Sequence, residues 1–204
     1  MNPESDPPFH AAQRRQLRED LRMRRRALSA AARVSAAERL ADRLLDLPFA
    51  PRSGHVAGYW ANDGEIDLHP WQLRLPATCT YCLPVLGEDR RLRFAPWRPD
   101  APLVPNRFGI PEPDIPTSAL LDAVDMALVI LPLVGFGATG QRLGMGGGWY
   151  DRSLEFRRDR PGPPWLVGAA FELQRCDTLE AEPWDVPLDA VCTESATHDF
   201  RTGT

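Results

Sequence analysis

Lysine is absent from this 204-residue chain: all 24 of its basic residues are arginine. The bias itself reads as a coding preference, but its consequence is chemical, because Schiff-base chemistry and any catalytic lysine are excluded. Long apolar runs are missing too. The longest, from Met126, meets Pro132 and two glycines by residue 137, too early to span a bilayer. The opening MNPESDPPFH is acidic and proline-rich without an apolar centre, so no signal peptide is expected and the chain is expected in the cytoplasm. Cysteine is scarce, at four residues: Cys79, Cys82, Cys176 and Cys192. Cys79 and Cys82 spell CxxC, but TCTYCLPVL reads as a strand, where an odd separation turns the two thiols to opposite faces. With no second close pair, neither zinc nor redox chemistry is expected. A net charge of −4 and a pI near 5.6 leave no overall preference for nucleic acid or membranes.

What is present suits one globular domain. Hydrophobic residues make up 43% and charged residues 25%, enough to bury a sizeable core, and 21 prolines point to rigid connections between short elements. We read a disordered tail over residues 1–10, a single domain over 11–195 and a loose tail over 196–204. Ala11 to Leu28 has helical leucine spacing but is crowded with arginines, most of which read as a solvated face. A second helix follows, with a capping box at Ser35 and Glu38, and ends at Pro48. Strands are expected at His55–Trp60, Cys79–Leu86, Leu92–Ala95, Met126–Val134, Trp165–Phe171 and Ala190–Glu194. The proline-rich span 96–116 reads as a rigid loop. Apolar strands alternating with helices predict an α/β fold: a layered, mixed but largely parallel sheet with helices on both faces and a basic N-terminal helix. Asn62-Asp63-Gly64 has turn chemistry, and Glu65 beside it stands at the carboxyl end of a strand, where such sheets place ligands.

The richest stretch is DMALVILPLVGFGATGQRLGMGGGWYDRSL, an apolar strand breaking into seven glycines and then a helix. Gly135, Gly137 and Gly140 spell GxGxxG, but further glycines follow where the dinucleotide fingerprint needs a helix. P-loop spacing fails as well, because Gln141-Arg142 replaces Lys-Ser/Thr. What remains is Arg142 to Asp151. Glycines 144, 146, 147 and 148 let the backbone curl round an anion, and Arg142 adds a fork for phosphate oxygens. Asp151 suits Mg²⁺, and Trp149 offers a flat face to a fused ring.

These residues resemble the 5-formyltetrahydrofolate cyclo-ligase family. Its loop RLGxGxGYYD is matched by RLGMGGGWYD, and its N-terminal KxxLR by Arg14 to Arg18, followed by Arg25-Arg26-Ala27-Leu28-Ser29. NDGEI, IPEP at residues 110–113 and WDVPLDAVCTE at 184–194 follow in order, so the likeness spans roughly residues 13–195. It implies a phosphosugar-isomerase/CoA-transferase-like fold and an ATP- and Mg²⁺-dependent ligase acting on small molecules, expected to be a monomer. The reaction implied is phosphorylation of the formyl oxygen on N5, attack by N10, and loss of phosphate to give 5,10-methenyltetrahydrofolate. By that likeness Arg14 and Arg142 are catalytic. Arg14, Arg18, Arg142, Gly144, Gly146, Gly147, Gly148 and Tyr150 bind ATP, and Trp60, Glu65, Met145 and Trp149 line the folate site. Asp151 and Asp185 take the metal. Arg14 stands where the family usually has lysine, Met145 and Gly147 where some members are basic, and Trp149 where tyrosine is usual. The other reading on the same fold is a folate- or nucleotide-binding regulator without turnover.

Overall fold

The apolar run from Met126 forms the centre of a seven-stranded sheet in the computed structural model, which describes residues 7–201. Its side chains alternate: Leu128 and Ile130 enter one core, Val129 and Leu131 the other, and none is more than 1% exposed. A strand buried on both faces has no position for a polar side chain, hence the unbroken run.

In chain order the first elements are α1 (Pro7–Arg26), α2 (Ala30–Leu45), β1 (Gly54–Ala57), α3 (His69–Leu73), β2 (Cys79–Leu86) and β3 (Leu92–Pro96). A small hairpin follows, β4 (Leu103–Pro105) and β5 (Pro111–Pro113), and then the central strand β6 (Met126–Pro132). The glycine-rich stretch contributes β7 (Gly135–Phe136), β8 (Arg142–Leu143) and α4 (Trp149–Ser153). The last strands are β9 (Trp165–Ala169), β10 (Ala190–Cys192) and β11 (Thr197–Asp199). The sheet order is β11-β10-β9-β6-β1-β2-β3. The five inner strands run parallel, and the two edges, β3 and β11, are antiparallel. α2 and α3 cover one face through Ala36, Leu40, Leu44 and Trp71. The other face is covered by α4, the turn after it, and the segment holding Val186 and Leu188. The expected layered α/β architecture is therefore present.

Topology fixes where a site lies. From β1 the chain moves outward to β2 and β3, then returns to β6 and leaves the other way through β9 and β10. The segments after β1 and β6 therefore diverge over a switch point, the crevice where α/β sheets bind ligands. α1 lies over that edge, packing Leu17 and Leu21 against Val134, Leu143 and Leu179.

Several expectations need correction. The N-terminal tail expected over residues 1–10 is helical from Pro7, and its first six residues lie outside the described ones. α2 is capped not at Ser35 but at Ser29, whose Oγ accepts from the Ala32 N–H at 3.2 Å. The alanine-rich turn before Ser35 is itself good helix, so Ser35 lies inside α2 and accepts from Arg39. The proline-rich span holds the β4–β5 hairpin, tied to β2 where the Glu112 carboxylate accepts from the Leu86 N–H at 3.0 Å. Prolines are tolerated in it because a two-stranded ribbon leaves outer positions that need no donor. The C-terminal tail supplies edge strand β11, and only residues 202–204 lie outside the described ones. The CxxC thiols do part: Cys79 meets one core and Cys82 the other, and all four cysteines are free. Among the described residues no helix is long and apolar enough to cross a membrane, and no group of three or more His, Cys, Asp or Glu converges as a metal cage.

Candidate active site

The glycine loop is built as a hairpin stem and an open crown. β7 and β8 pair at its base, and Gly146 (φ +90°) and Gly148 (φ +65°) bend the crown through left-handed backbone that favours glycine. A cavity of about 340 Å³ opens beside the crown, lined by Gly146, Gly147, Gly148, Asp151, Trp184 and the arginines Arg90, Arg152 and Arg158. Its wall is cationic. Arg90, Arg158 and Trp184, not expected from sequence, reach the cavity from the β2–β3 turn, from beyond α4 and from the connection between β9 and β10; nothing local marks them.

α1 brings the next cations. Arg18 Nε donates to the Gly144 carbonyl at 2.8 Å, and Arg14, one turn earlier, donates to the Glu180 carbonyl at 2.9 Å. The Arg14 guanidinium lies 3.6 Å from Glu182 and 3.7 Å from Asp185. Burial and the like charge of Arg14 both lower the pKa of Arg18, so an anion between these arginines relieves strain in the charge distribution.

Arg142 is placed differently from a phosphate fork open to solvent. It is 5% exposed, with one terminal nitrogen donating to the Val186 carbonyl and the other to the Asp151 carboxylate. It is a strut that fixes Asp151 beneath the crown. Asp185 is close by: burial raises its pKa, the Glu182 N–H lowers it, and the charge of Asp151 raises it again. Two facing carboxylates with arginine nearby are too few for a resident metal cage. They do suit Mg²⁺, which usually takes one or two carboxylates and completes its shell with phosphates and water.

On the β1 side, Asn62 to Glu65 forms the turn its composition implies. Asp63 (φ 52°) and Gly64 (φ +78°) are left-handed, and the Glu65 N–H donates to the Asn62 carbonyl at 2.9 Å. Burial pushes the Glu65 carboxyl up to about 7, against the pull of the Asn62 N–H and of Arg25. Burial would raise Asp63 as well, but hydrogen bonds from Arg22, Arg26 and Arg25 outweigh it and hold that carboxyl at about 2. The reading of these arginines as a solvated face is therefore wrong for Arg25, which is 0% exposed. A fully buried guanidinium in a charge run cannot be told from its solvated neighbours by spacing alone.

Tyrosines complete this side. Burial, then the Glu65 charge, raises Tyr150 above its ordinary value, and Tyr59 is raised for the same two reasons. Tyr81 is raised by burial first, with the charges of Asp67 and Tyr150 adding to it. Tyr150, grouped with ATP by resemblance, feels the charges of both Glu65 and Arg142 and so stands between the turn and the glycine loop. Trp60 meets Trp97 edge-on at 6.0 Å, Met145 is exposed, and half-buried Trp149 carries Arg107 over its ring at 5.1 Å.

The sequence profile of the 5-formyltetrahydrofolate cyclo-ligase family matches residues 10–194. The chain belongs to that family. The cyclo-ligase of Escherichia coli (strain K12) is 37% identical over 179 residues, covering 86% of this chain and 97% of that protein. The cyclo-ligase of Haemophilus influenzae is 34% identical over 184 residues, covering 88% and 97%. Among solved structures, the 5,10-methenyltetrahydrofolate synthetase of Aquifex aeolicus superposes with a TM-score of 0.79 at 30% identity, covering 94% of each chain. A synthetase from Mycoplasma pneumoniae, at 22% identity and a TM-score of 0.65, shares the fold, covering 89% of this chain and 98% of its own. The glycine loop, the Asp63–Glu65 turn and all but the first three residues of α1 lie within the matched residues.

Proposed function

We propose that this cyclo-ligase family member converts 5-formyltetrahydrofolate to 5,10-methenyltetrahydrofolate with consumption of ATP and release of ADP and phosphate. One observation carries the reading. A cationic crevice with two carboxylates and a buried, aromatic-lined acceptor meet at a single edge of the sheet. A phosphate chain fits the first and a pterin the second.

In this reading Arg14, Arg18 and the crown glycines hold the ATP phosphates, and the cavity arginines extend that grip. Asp151 and Asp185 would hold the Mg²⁺ that accompanies ATP, which would offset phosphate charge. Arg142 keeps Asp151 in place and adds positive charge below the transferring group. Glu65 accepts from the N–H edge of the pterin. Tyr150, moved here to the folate side, joins Trp60, Met145 and Trp149 in fixing the ring. The formyl oxygen takes the γ-phosphoryl group, breaking its bond to ADP. N10 then attacks the activated carbon and gives up its proton to solvent, and the C–O bond breaks to release phosphate. Both steps need close placement more than proton transfer, which suits a site with no lysine.

The test is direct. Purified protein with Mg-ATP and 5-formyltetrahydrofolate is expected to build up the near-ultraviolet absorbance of the methenyl product, and only when ATP is present. No ATP-dependent product at micromolar enzyme overturns the reading.

A further inference from the structure

One helix serves both halves of this site. The middle of α1 carries Arg14 and Arg18, and its last two turns carry Arg22, Arg25 and Arg26, all three directed at Asp63. Arg22 Nε donates to Asp63 Oδ2 at 2.6 Å and Arg26 Nε to Oδ1 at 2.5 Å. Fully buried Arg25 uses its whole fork: Nη2 on Asp63 Oδ2 at 2.9 Å, Nε on the Asp63 carbonyl at 3.0 Å, and Nη1 on the Leu133 carbonyl at 3.0 Å. Leu133 directly follows β6, where the chain turns toward the glycine loop. From α2, Arg33 closes the arrangement, donating to the Gly64 carbonyl at 3.0 Å and to the Arg25 and Arg26 carbonyls at 2.9 Å. Glu65 lies two residues beyond Asp63, with its Oε1 3.9 Å from Arg25 Nη2.

A buried guanidinium with an acceptor on each of its three nitrogens is held firmly, because losing one leaves a buried donor unpaired. From Arg14 to Arg25 the helix is roughly 16 Å of continuous hydrogen-bonded backbone. We infer that Arg25 and Asp63 are positioning residues that couple the two substrates: α1, drawn onto phosphate through Arg14 and Arg18, sets the Glu65 turn where it receives the pterin. This rests on the function proposed above. Chains of packed elements and hydrogen-bond networks of this kind carry coupling between sites, and the coupling is reciprocal.

A tie that only stabilised the fold would lower the unfolding temperature and leave the linkage between ligands intact. The experiment therefore titrates 5-formyltetrahydrofolate into the full-length protein by calorimetry, with and without a magnesium complex of a non-hydrolysable ATP analogue. In the native protein the analogue is expected to tighten folate binding about tenfold. In Asp63→Asn, where asparagine still tolerates left-handed backbone, that enhancement is expected to fall below about twofold. Turnover at saturating substrates should drop by less than about threefold, so the effect falls on KM rather than kcat. If Asp63→Asn does not fold, the double variant Arg22→Ala/Arg26→Ala, which leaves buried Arg25 intact, carries the test with an expected enhancement of about twofold to fourfold. Arg26→Lys, keeping the charge, is expected to stay near the native enhancement. An enhancement unchanged in a folded Asp63→Asn or in the double variant, or absent from native protein that turns over normally, overturns the inference alone. Native protein without ATP-dependent turnover overturns the function reading and this inference together.

Discussion

Two loops leave neighbouring strands on the same edge of the sheet, and they are held in opposite ways. After β1, the turn from Asn62 to Glu65 is gripped by Arg22, Arg25, Arg26 and Arg33, and its functional carboxyl is buried before any ligand arrives. After β6, the glycine crown has Arg18 on the Gly144 carbonyl and Arg152 on the Gly147 carbonyl, and a Cβ at Gly144 would meet nothing within 4 Å. The contrast follows the chemistry. In the proposed function a flat heterocycle is recognised by a fixed acceptor at a set angle, which suits a turn held by four arginines. A phosphate chain is recognised in that function by many donors that surround it, and the crown is open at Gly144 while Gly147 and Gly148 are closed in by Trp149 and Arg152.

The largest break in this comparison comes from beneath the crown. Sequence alone suggests that Arg142→Ala removes catalysis and spares the fold. The structure reverses the second half, because the substitution orphans the Val186 carbonyl and leaves Asp151 Oδ1 with only the Val186 N–H at 3.3 Å in place of a guanidinium. Breaking such a pair costs about 3–5 kcal/mol, and urea denaturation of Arg142→Ala should show a loss of that size. A stability within about 1 kcal/mol of the native protein would mean that Arg142 is no strut. Asp185→Asn separates catalysis from stability. Its carboxyl is raised by burial, so a neutral amide leaves the unfolding temperature unchanged or slightly higher, while turnover falls about 10²–10³-fold. Turnover close to native at saturating Mg²⁺ would remove Asp185 from the proposed metal pair.

Arg18→Ala probes the open loop more gently. It deletes a charged donor to a phosphate together with the tie on the Gly144 carbonyl, and the KM for ATP is expected to rise about tenfold to a hundredfold. Steady-state kinetics with ATP as the varied substrate decides it, and an unchanged KM would leave the phosphate grip to the cavity arginines.

How much of this was legible in sequence depends on whether a residue's role is local. The central strand, the glycine crown and the Asp63-Gly64 turn are written in consecutive residues, and each forms where composition places it. Arg25 is the opposite case. Seven arginines lie between Arg14 and Arg26, and the one that is fully buried is singled out by Asp63 and Leu133, far along the chain. The cavity wall fails for the same reason, since Arg90, Arg158 and Trp184 come from three separate segments and meet only after folding. Edge strand β11 was missed because an edge needs only one ladder, so three polar residues suffice to pair with β10.

The smallest expected effect tests the rigid loop through pH. The Glu65 carboxyl sits at about 7 because burial disfavours its charge, and in its proposed role it accepts most strongly from the pterin when ionised. Between pH 6 and 8, kcat/KM for 5-formyltetrahydrofolate is therefore expected to rise about tenfold along a limb set by the free enzyme. Stability moves the other way. The ordinary value is 4.5, so between there and about 7 the folded chain keeps a proton that the unfolded chain has released. This contribution is complete below about 4.5 and is lost as pH rises through 7. Glu65→Gln should flatten the kcat/KM limb at a low level and raise the unfolding temperature more at pH 8 than at pH 5. A limb that persists unchanged in Glu65→Gln assigns the titration to another group. The opposed trends are what a buried acceptor requires: the turn proposed to bind the pterin holds a charge the fold alone would rather lose.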